Sequence, residues 1–268
     1  MKQAAHKILH MWRVFVAIFR MSIMMHLTTP LGGVMKFASV FVDMLIYVVF
    51  AKIIFSYIPA VGGFSNDQLY MIVGTSMLIE WISWFTFRAG TAQTPDKIQS
   101  GKIESVFIRP LPAPFLAFFT RMDIEDVTRA VTGLMLIVPH AAAIASPTAL
   151  HVALYAIALL GSSAIYYALL ASISPLAFFF GKLDGLWAVV NDINNMGRYP
   201  FTIFTRKVRW IFFTILPTAF LGSVPTLILT TNDHWQWLAL TFAVAGIGIW
   251  ISVLIWNWAA SHYSGASG

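Results

Sequence analysis

The sequence predicts an all-α integral membrane protein of six transmembrane helices, with an N-terminal amphipathic surface helix and a short coupling helix in a cytoplasmic loop. Three observations lead there. Hydrophobic residues make up 59% of the chain and charged residues only 10%, with a mean hydropathy of +0.77. Soluble domains carry about 25% charged residues, so this chain could not hide its apolar surface in water. Apolar runs approaching the ~20 residues that a hydrocarbon core demands recur along most of the length. Lysines and arginines, finally, gather in alternate loops.

Composition also removes several chemistries. There is no cysteine, which excludes disulfides, thiolate catalysis and Cys-ligated metal. The seven histidines are scattered, with no HExxH pattern. No GxxxxGK[ST] loop occurs, because Gly181-Lys182 lacks both the upstream glycine and the following Ser or Thr. The chain therefore does not load ATP by a Walker mechanism on its own. Basic residues recur at Lys2, Lys7, Arg13 and Arg20, a pattern unlike a cleavable signal peptide.

Residues 1–28 form the first predicted unit, a helix on the membrane surface. Ile8, Met11, Trp12, Phe15, Ile18 and Phe19 make one stripe at helical spacing, with His6, His10, Arg13 and Arg20 opposite. An aromatic face against a basic one suits the headgroup boundary of an anionic leaflet. An extension of the first span is the other reading. Residues 29–268 form the second unit, the transmembrane domain. Its predicted spans are Phe37–Tyr57, Leu69–Ala89, Val127–Ile144, Leu150–Ser172, Val208–Leu229 and Trp235–Trp258. Ser65 and Gln68 supply a capping box for the second. Pro175 to Tyr199 reads as an amphipathic connector. Pro217 and Pro225 interrupt the fifth span and predict a kinked or re-entrant segment. Trp81, Trp84, Trp235, Trp237, Trp256 and Trp258 read as interfacial belts.

Orientation follows from the basic loops. Lys36, Lys97, Lys102, Arg109, Arg121, Lys182, Arg198, Arg206, Lys207 and Arg209 are assigned with the N-terminal bases to one side. The loops 59–68, 145–150 and 230–234 carry no Lys or Arg. Six spans with both termini in the cytoplasm satisfy this pattern, and Lys52 alone points the other way.

The polar loop 93–114 stands out in this apolar chain. Thr94-Pro95-Asp96 starts a short helix, with Thr94 as N-cap, and Ser100-Gly101 ends it. Such a helix can sit in a cleft of another protein. A solvated turn whose charges serve topology is the plain alternative. Within the spans, Asp43 and Glu80 are ionisable residues, expensive at membrane depth. Either they line a polar passage or a subunit interface, or each pairs with a neighbouring helix, for instance through Arg129.

The stretch Ile98-x-Ser100-Gly101-x-Ile103-Glu104-x-x-Phe107-Ile108-Arg109-Pro110-Leu111 resembles the signature of an exporter-type (type 2) ABC permease family. Val61-Gly62-Gly63-Phe64 with Tyr70 resembles that family's entry to its second span. Tyr199-Pro200, Arg209, Leu216-Pro217 and Pro225 resemble its fifth, and the terminal Tyr263-Ser264-Gly265 its closing motif. Ser261-His262 departs from the basic pair usual before that tyrosine. The resemblance implies that Asp96, Ile98, Gln99, Gly101, Lys102 and Glu104 dock on an ATP-binding subunit, with Arg109 and Pro110 setting the turn back. It implies no cofactor on this chain, and ATP and Mg on a partner ATPase present in two copies. It further implies a second permease subunit, identical or homologous, in a bacterial inner membrane, contacting lipid and no nucleic acid. Asp43, Glu80 and Pro217 are the candidates for the transport path or subunit interface. A proton-coupled secondary transporter working through Glu80 is the alternative, and a lipid-acting membrane enzyme a third class. The substrate is not legible.

Overall fold

The computed structural model describes residues 2–28, 30–57, 60–144, 147–181, 184–231 and 234–263. The chain begins with α1 (Lys2–Thr28) and α2 (Pro30–Tyr57), followed by a two-stranded hairpin, β1 (Ala60–Val61) and β2 (Phe64–Ser65). Gly62 and Gly63 make its turn at φ +60° and +88°, values that tight hairpins need and glycine supplies. The capping box forms as the sequence predicts. Ser65 Oγ accepts from the Gln68 backbone N–H, and Gln68 Oε1 from that of Ser65, opening α3 (Asn66–Thr86).

At Phe87 the backbone leaves helical geometry (φ −128°, ψ −20°) and α4 (Arg88–Gln99) begins. Two short helices, α5 (Glu104–Phe107) and α6 (Ala113–Phe118), lead to α7 (Val127–Ile144) and α8 (Ala149–Ile173). A single turn, α9 (Ala177–Phe180), precedes α10 (Asp184–Met196). Then come α11 (Arg206–Thr214), α12 (Ser223–Thr230) and α13 (His234–Ser261). Among the described residues, α3, α7, the Ala149–Phe180 stretch and α13 are long and apolar enough to cross a membrane, and α2 contains a shorter apolar stretch, Phe37–Ile46.

Small residues set the closest helix contacts, as expected where helices must pack without a hydrophobic drive between them. A Cβ on Gly74 of α3 would lie 2.7 Å from the Gly133 carbonyl of α7, and the reverse holds equally. The α8–α13 pair closes over Gly161, whose added Cβ would meet Thr241 at 2.9 Å, and over Gly248 facing Ala168.

Several expectations are corrected here. The predicted fifth span is not one helix. Its two pieces, α11 and α12, are separated at Pro217 and a short 3-10 turn, while Pro225 sits in the first turn of α12, where a proline fits. The segment is re-entrant: near its start Thr202 abuts Gly62, and at its end Thr230 Oγ1 accepts from Gln68 Nε2 at 3.0 Å, both at the hairpin end of the bundle. The passage between α8 and α13 is made instead by the supposed connector. Along the run from α4 through α3 to β2, Asn191 meets Arg88, Asn194 meets Glu80, the Gly197 carbonyl accepts from Ser76, and Phe201 stacks edge-on to Phe64. Arg206, Lys207 and Arg209 therefore lie at the hairpin end, opposite the loop 96–110. Arg209 is accommodated there by the carbonyls of Thr202 and Phe204 and by the Phe201 ring.

The aromatic stripe of α1 is also split. Phe15 and Phe19 pack against Phe119 and Phe85, and Ser22 Oγ accepts from the Met122 N–H, whereas Trp12 stays exposed. Trp256 is buried against Phe118 and Phe178 rather than joining a belt, and Trp84 carries a guanidinium.

Candidate functional site

The loop between α3 and α7 is built on a longer helix than its turn signals suggest. Thr94 does not cap it; the hydroxyl bonds back to the Gly90 carbonyl at 2.8 Å from inside α4. Pro95 sits in the helix interior and has no N–H to offer the Thr91 carbonyl, beside which the Ser174 hydroxyl lies at 3.4 Å. Gly90 packs so closely on the Phe118 carbonyl that no side chain fits. The helix stops where predicted. Gly101 turns left-handed at φ +71°, its N–H reaches the Ile98 carbonyl, and that of Ile103 reaches Lys97.

Beyond this stop the loop divides by burial. Ile98, Ile103 and Val106 point into the core, where Ile98 is 3% exposed. Ile98 is therefore an anchor beneath the surface, not part of it. Asp96, Gln99, Lys102, Glu104, Arg109 and Pro110 are exposed, and Gly101 is half-buried. Ile108, absent from the docking set that the family resemblance implies, stands 86% exposed at the tip. Lys97 folds back to the Ala117 carbonyl and the Thr120 hydroxyl, and this burial holds its ammonium below the ordinary lysine pKa. Glu104 accepts from the Tyr263 hydroxyl at 3.4 Å, so the end of the described chain touches this loop. Residues 264–268, the rest of the closing motif, lie outside the described residues.

A second feature lies deeper. Asn191, Asn194, Asn195 and Arg198 follow i, i+3, i+4, i+7 spacing along α10 and its exit turn. They line one polar cavity of about 250 Å³ with Glu80, Arg88, Arg129, Trp84 and Met44. In a membrane a polar stripe turns toward such a cavity instead of lipid. Glu80 is held on every side. Its Oε2 accepts from Arg129 Nη1 at 2.8 Å, and its Oε1 from Arg198 Nη2 at 2.7 Å and Asn194 Nδ2 at 2.9 Å. Arg129 also reaches Asp126 at 3.2 Å. Arg88 lies 4.7 Å from the Trp84 ring centre and 5.5 Å from that of Tyr166, and donates to the Asn191 amide oxygen.

Of the two outcomes open for Glu80, the structure realises pairing, and with Arg129 as one of the partners. It also lines the cavity, so the two are not exclusive. Pro217 lies elsewhere, lining an apolar cavity of about 440 Å³ between α8, α11 and α13 with Ile165, Phe213 and Gly248. The Asp43 side chain lies outside the described residues. Among the described residues, no three His, Cys, Asp or Glu side chains gather as a metal site.

Sequence reasoning missed Arg88, Arg198 and the asparagines. Arg88 falls inside the predicted second span and was open to the same cost argument as Glu80. The polar residues of α10 carry a helical repeat within the stretch that the sequence presents only as an amphipathic connector.

Neither the curated proteins nor the solved structures offer a match to this chain. The family model described as ABC-2 family transporter protein matches residues 41–267 of the 268, which takes in the loop, the polar cavity and every helix from α3 onward. The chain thus belongs to the ABC-2 transporter family, as a multi-pass membrane permease component that associates with a separate ATP-binding subunit.

Proposed function

We propose that the chain is the permease subunit of an ABC exporter, and that the exposed tip of loop 96–110 docks on the ATP-binding subunit. One observation carries the reading. The helix α4 runs without interruption from Arg88, in the polar cavity, to the Gly101 stop beneath the exposed tip. A helix of this kind transmits a push along its axis. Its loop end is seated in the core by Ile98, with Ile103 and Val106 just beyond it, so displacement of the tip moves the helix and with it the cavity wall.

The docking surface is Asp96, Gln99, Lys102, Glu104, Arg109 and the apolar Ile108. An exposed isoleucine ringed by charges is the pattern of an interface anchor. ATP and Mg belong to the partner, present in two copies. A second permease subunit, identical or homologous, completes the pathway. The apolar faces of α2 (Phe41, Leu45, Val49) and α13 (Ile247, Trp250, Leu254), all exposed, are available to that subunit or to lipid. Transport is outward, by alternating access or by lateral entry from the leaflet. The loop end carries Arg13, Arg20, Lys97, Lys102, Arg109 and Arg121, against Arg206, Lys207, Arg209 and Lys52 at the other. This balance favours cytoplasmic termini in a bacterial inner membrane.

The test is the variant Ile108→Asp combined with Arg109→Glu. It should abolish co-purification with the ATP-binding subunit while the permease still inserts and folds. Undiminished co-purification would remove the loop from the interface.

A further inference from the structure

We propose that the polar cavity is an oxyanion site, in which Arg88 receives the phosphate or carboxylate of a transported molecule or of a leaflet lipid. As a statement about cargo, this rests on the permease reading. The chemistry of Arg88 points there. Arg88 is 9% exposed and lines the cavity. Its direct contacts among the described residues are neutral, the Asn191 amide and the faces of Trp84 and Tyr166, and the Glu80 carboxylate, already bonded to Arg129 and Arg198, acts on it only through space. Arg129 differs, because Glu80 and Asp126 balance it. A cation at membrane depth that makes no direct bond to a carboxylate gains most from an incoming anion, and the guanidinium fork matches an oxyanion in two parallel hydrogen bonds. Asn191 and Asn195 add amide groups to the rim. The volume, about 250 Å³, falls below the ~300–1,000 Å³ of drug-sized sites, so it suits a head group with the remainder of the molecule outside.

The position also has a consequence for coupling. Arg88 is the first residue of α4, the helix that ends at the docking loop. An anion drawn onto Arg88 therefore bears directly on the element that meets the ATPase.

The experiment uses the purified full-length chain in detergent, with no ATPase present. One arm compares retention of phosphatidylglycerol and phosphatidylcholine by native mass spectrometry, and the other measures thermal stabilisation by inorganic phosphate. Wild type should favour the anion in at least one arm, and Arg88→Gln should weaken that preference about tenfold, the scale of one charged hydrogen bond. Preference for phosphatidylglycerol alone identifies a lipid headgroup; stabilisation by phosphate alone identifies a soluble anion. Arg88→Lys keeps the charge but loses the fork, so it should fall between wild type and Arg88→Gln. If Arg88→Gln does not fold, Asn191→Ala is read instead and should also weaken the preference. No anion preference in wild type, or a preference undiminished in Arg88→Gln (or in Asn191→Ala where that variant is read instead), overturns the site. Because the ATPase is absent, that failure leaves the docking reading untouched, and loss of docking would leave the anion site untouched.

Discussion

Glu80 Oε1 accepts from Arg198 Nη2 at 2.7 Å, a bond that ties α3 to the exit of α10 across 118 residues of sequence. Both side chains are almost wholly buried, at 5% and 7% exposed. Together with Arg129 this pair fixes the passage of α10 through the bundle, and α10 brings the asparagines that make the cavity polar.

Replacing Glu80 by Ala leaves two buried guanidiniums without their shared carboxylate. Breaking a buried pair from one side costs about 3–5 kcal/mol. The thermal midpoint of the purified protein should fall well below wild type, and Glu80→Ala with Arg198→Ala should lose less than the two single losses combined. Additive losses would mean that the two residues do not act as a pair.

Ile98 separates anchoring from docking. Ile98→Ala removes a fully packed side chain, at a cost of about 2–5 kcal/mol. It should lower stability measured by detergent-resistant monomer or thermal shift. Protein that does fold should still bind the ATP-binding subunit. Loss of binding at unchanged stability would move Ile98 to the interface.

The crossing of α3 and α7 admits no side chain at its closest point. Gly74→Val pushes Cβ toward the Gly133 carbonyl, which a flexible neighbour cannot relieve. Overpacking of this type costs about 1–3 kcal/mol. Gly63→Ala offers the comparison, because its Cβ would meet open space and it bears only the strain of a positive φ. The valine variant should be the less stable of the two in thermal unfolding.

The ends of the bundle can be told apart by labelling. The chain contains no cysteine, so every introduced thiol is unique. In oriented membrane vesicles, Lys102→Cys and Lys207→Cys should react with a membrane-impermeant maleimide from opposite faces. Reaction from the same face would restore the earlier assignment of Arg206, Lys207 and Arg209 to the loop side.

What the sequence reveals and what it hides have a common physical root. The capping box of Ser65 with Gln68 and the left-handed stop at Gly101 are local devices, set by neighbouring residues, and both are read correctly. The membrane class follows from composition alone. The path of α10 is not local. Its asparagines and Arg198 look like a water-facing stripe until Glu80 and Arg88 are known to lie opposite them. Counting basic residues then compounds the error, because Arg209 is satisfied by nearby carbonyls and an aromatic ring rather than by cytosol. Ile98 and Ile108 are chemically alike and ten residues apart. One is buried and the other exposed, and the turn at Gly101 that separates them also decides which faces outward. Pairing of Glu80 with Arg129 is one of the two outcomes the sequence leaves open, because an intramembrane carboxylate demands a cation. The same demand, applied to Arg88, would have found the cavity.

The central claim is that the tip of loop 96–110 meets the ATP-binding subunit. It is tested most directly by cysteine cross-linking in native membranes that contain the whole transporter. Ile108→Cys should cross-link to the ATP-binding subunit, and Lys207→Cys should not. No cross-link from Ile108→Cys, with one from Lys207→Cys, would contradict the account.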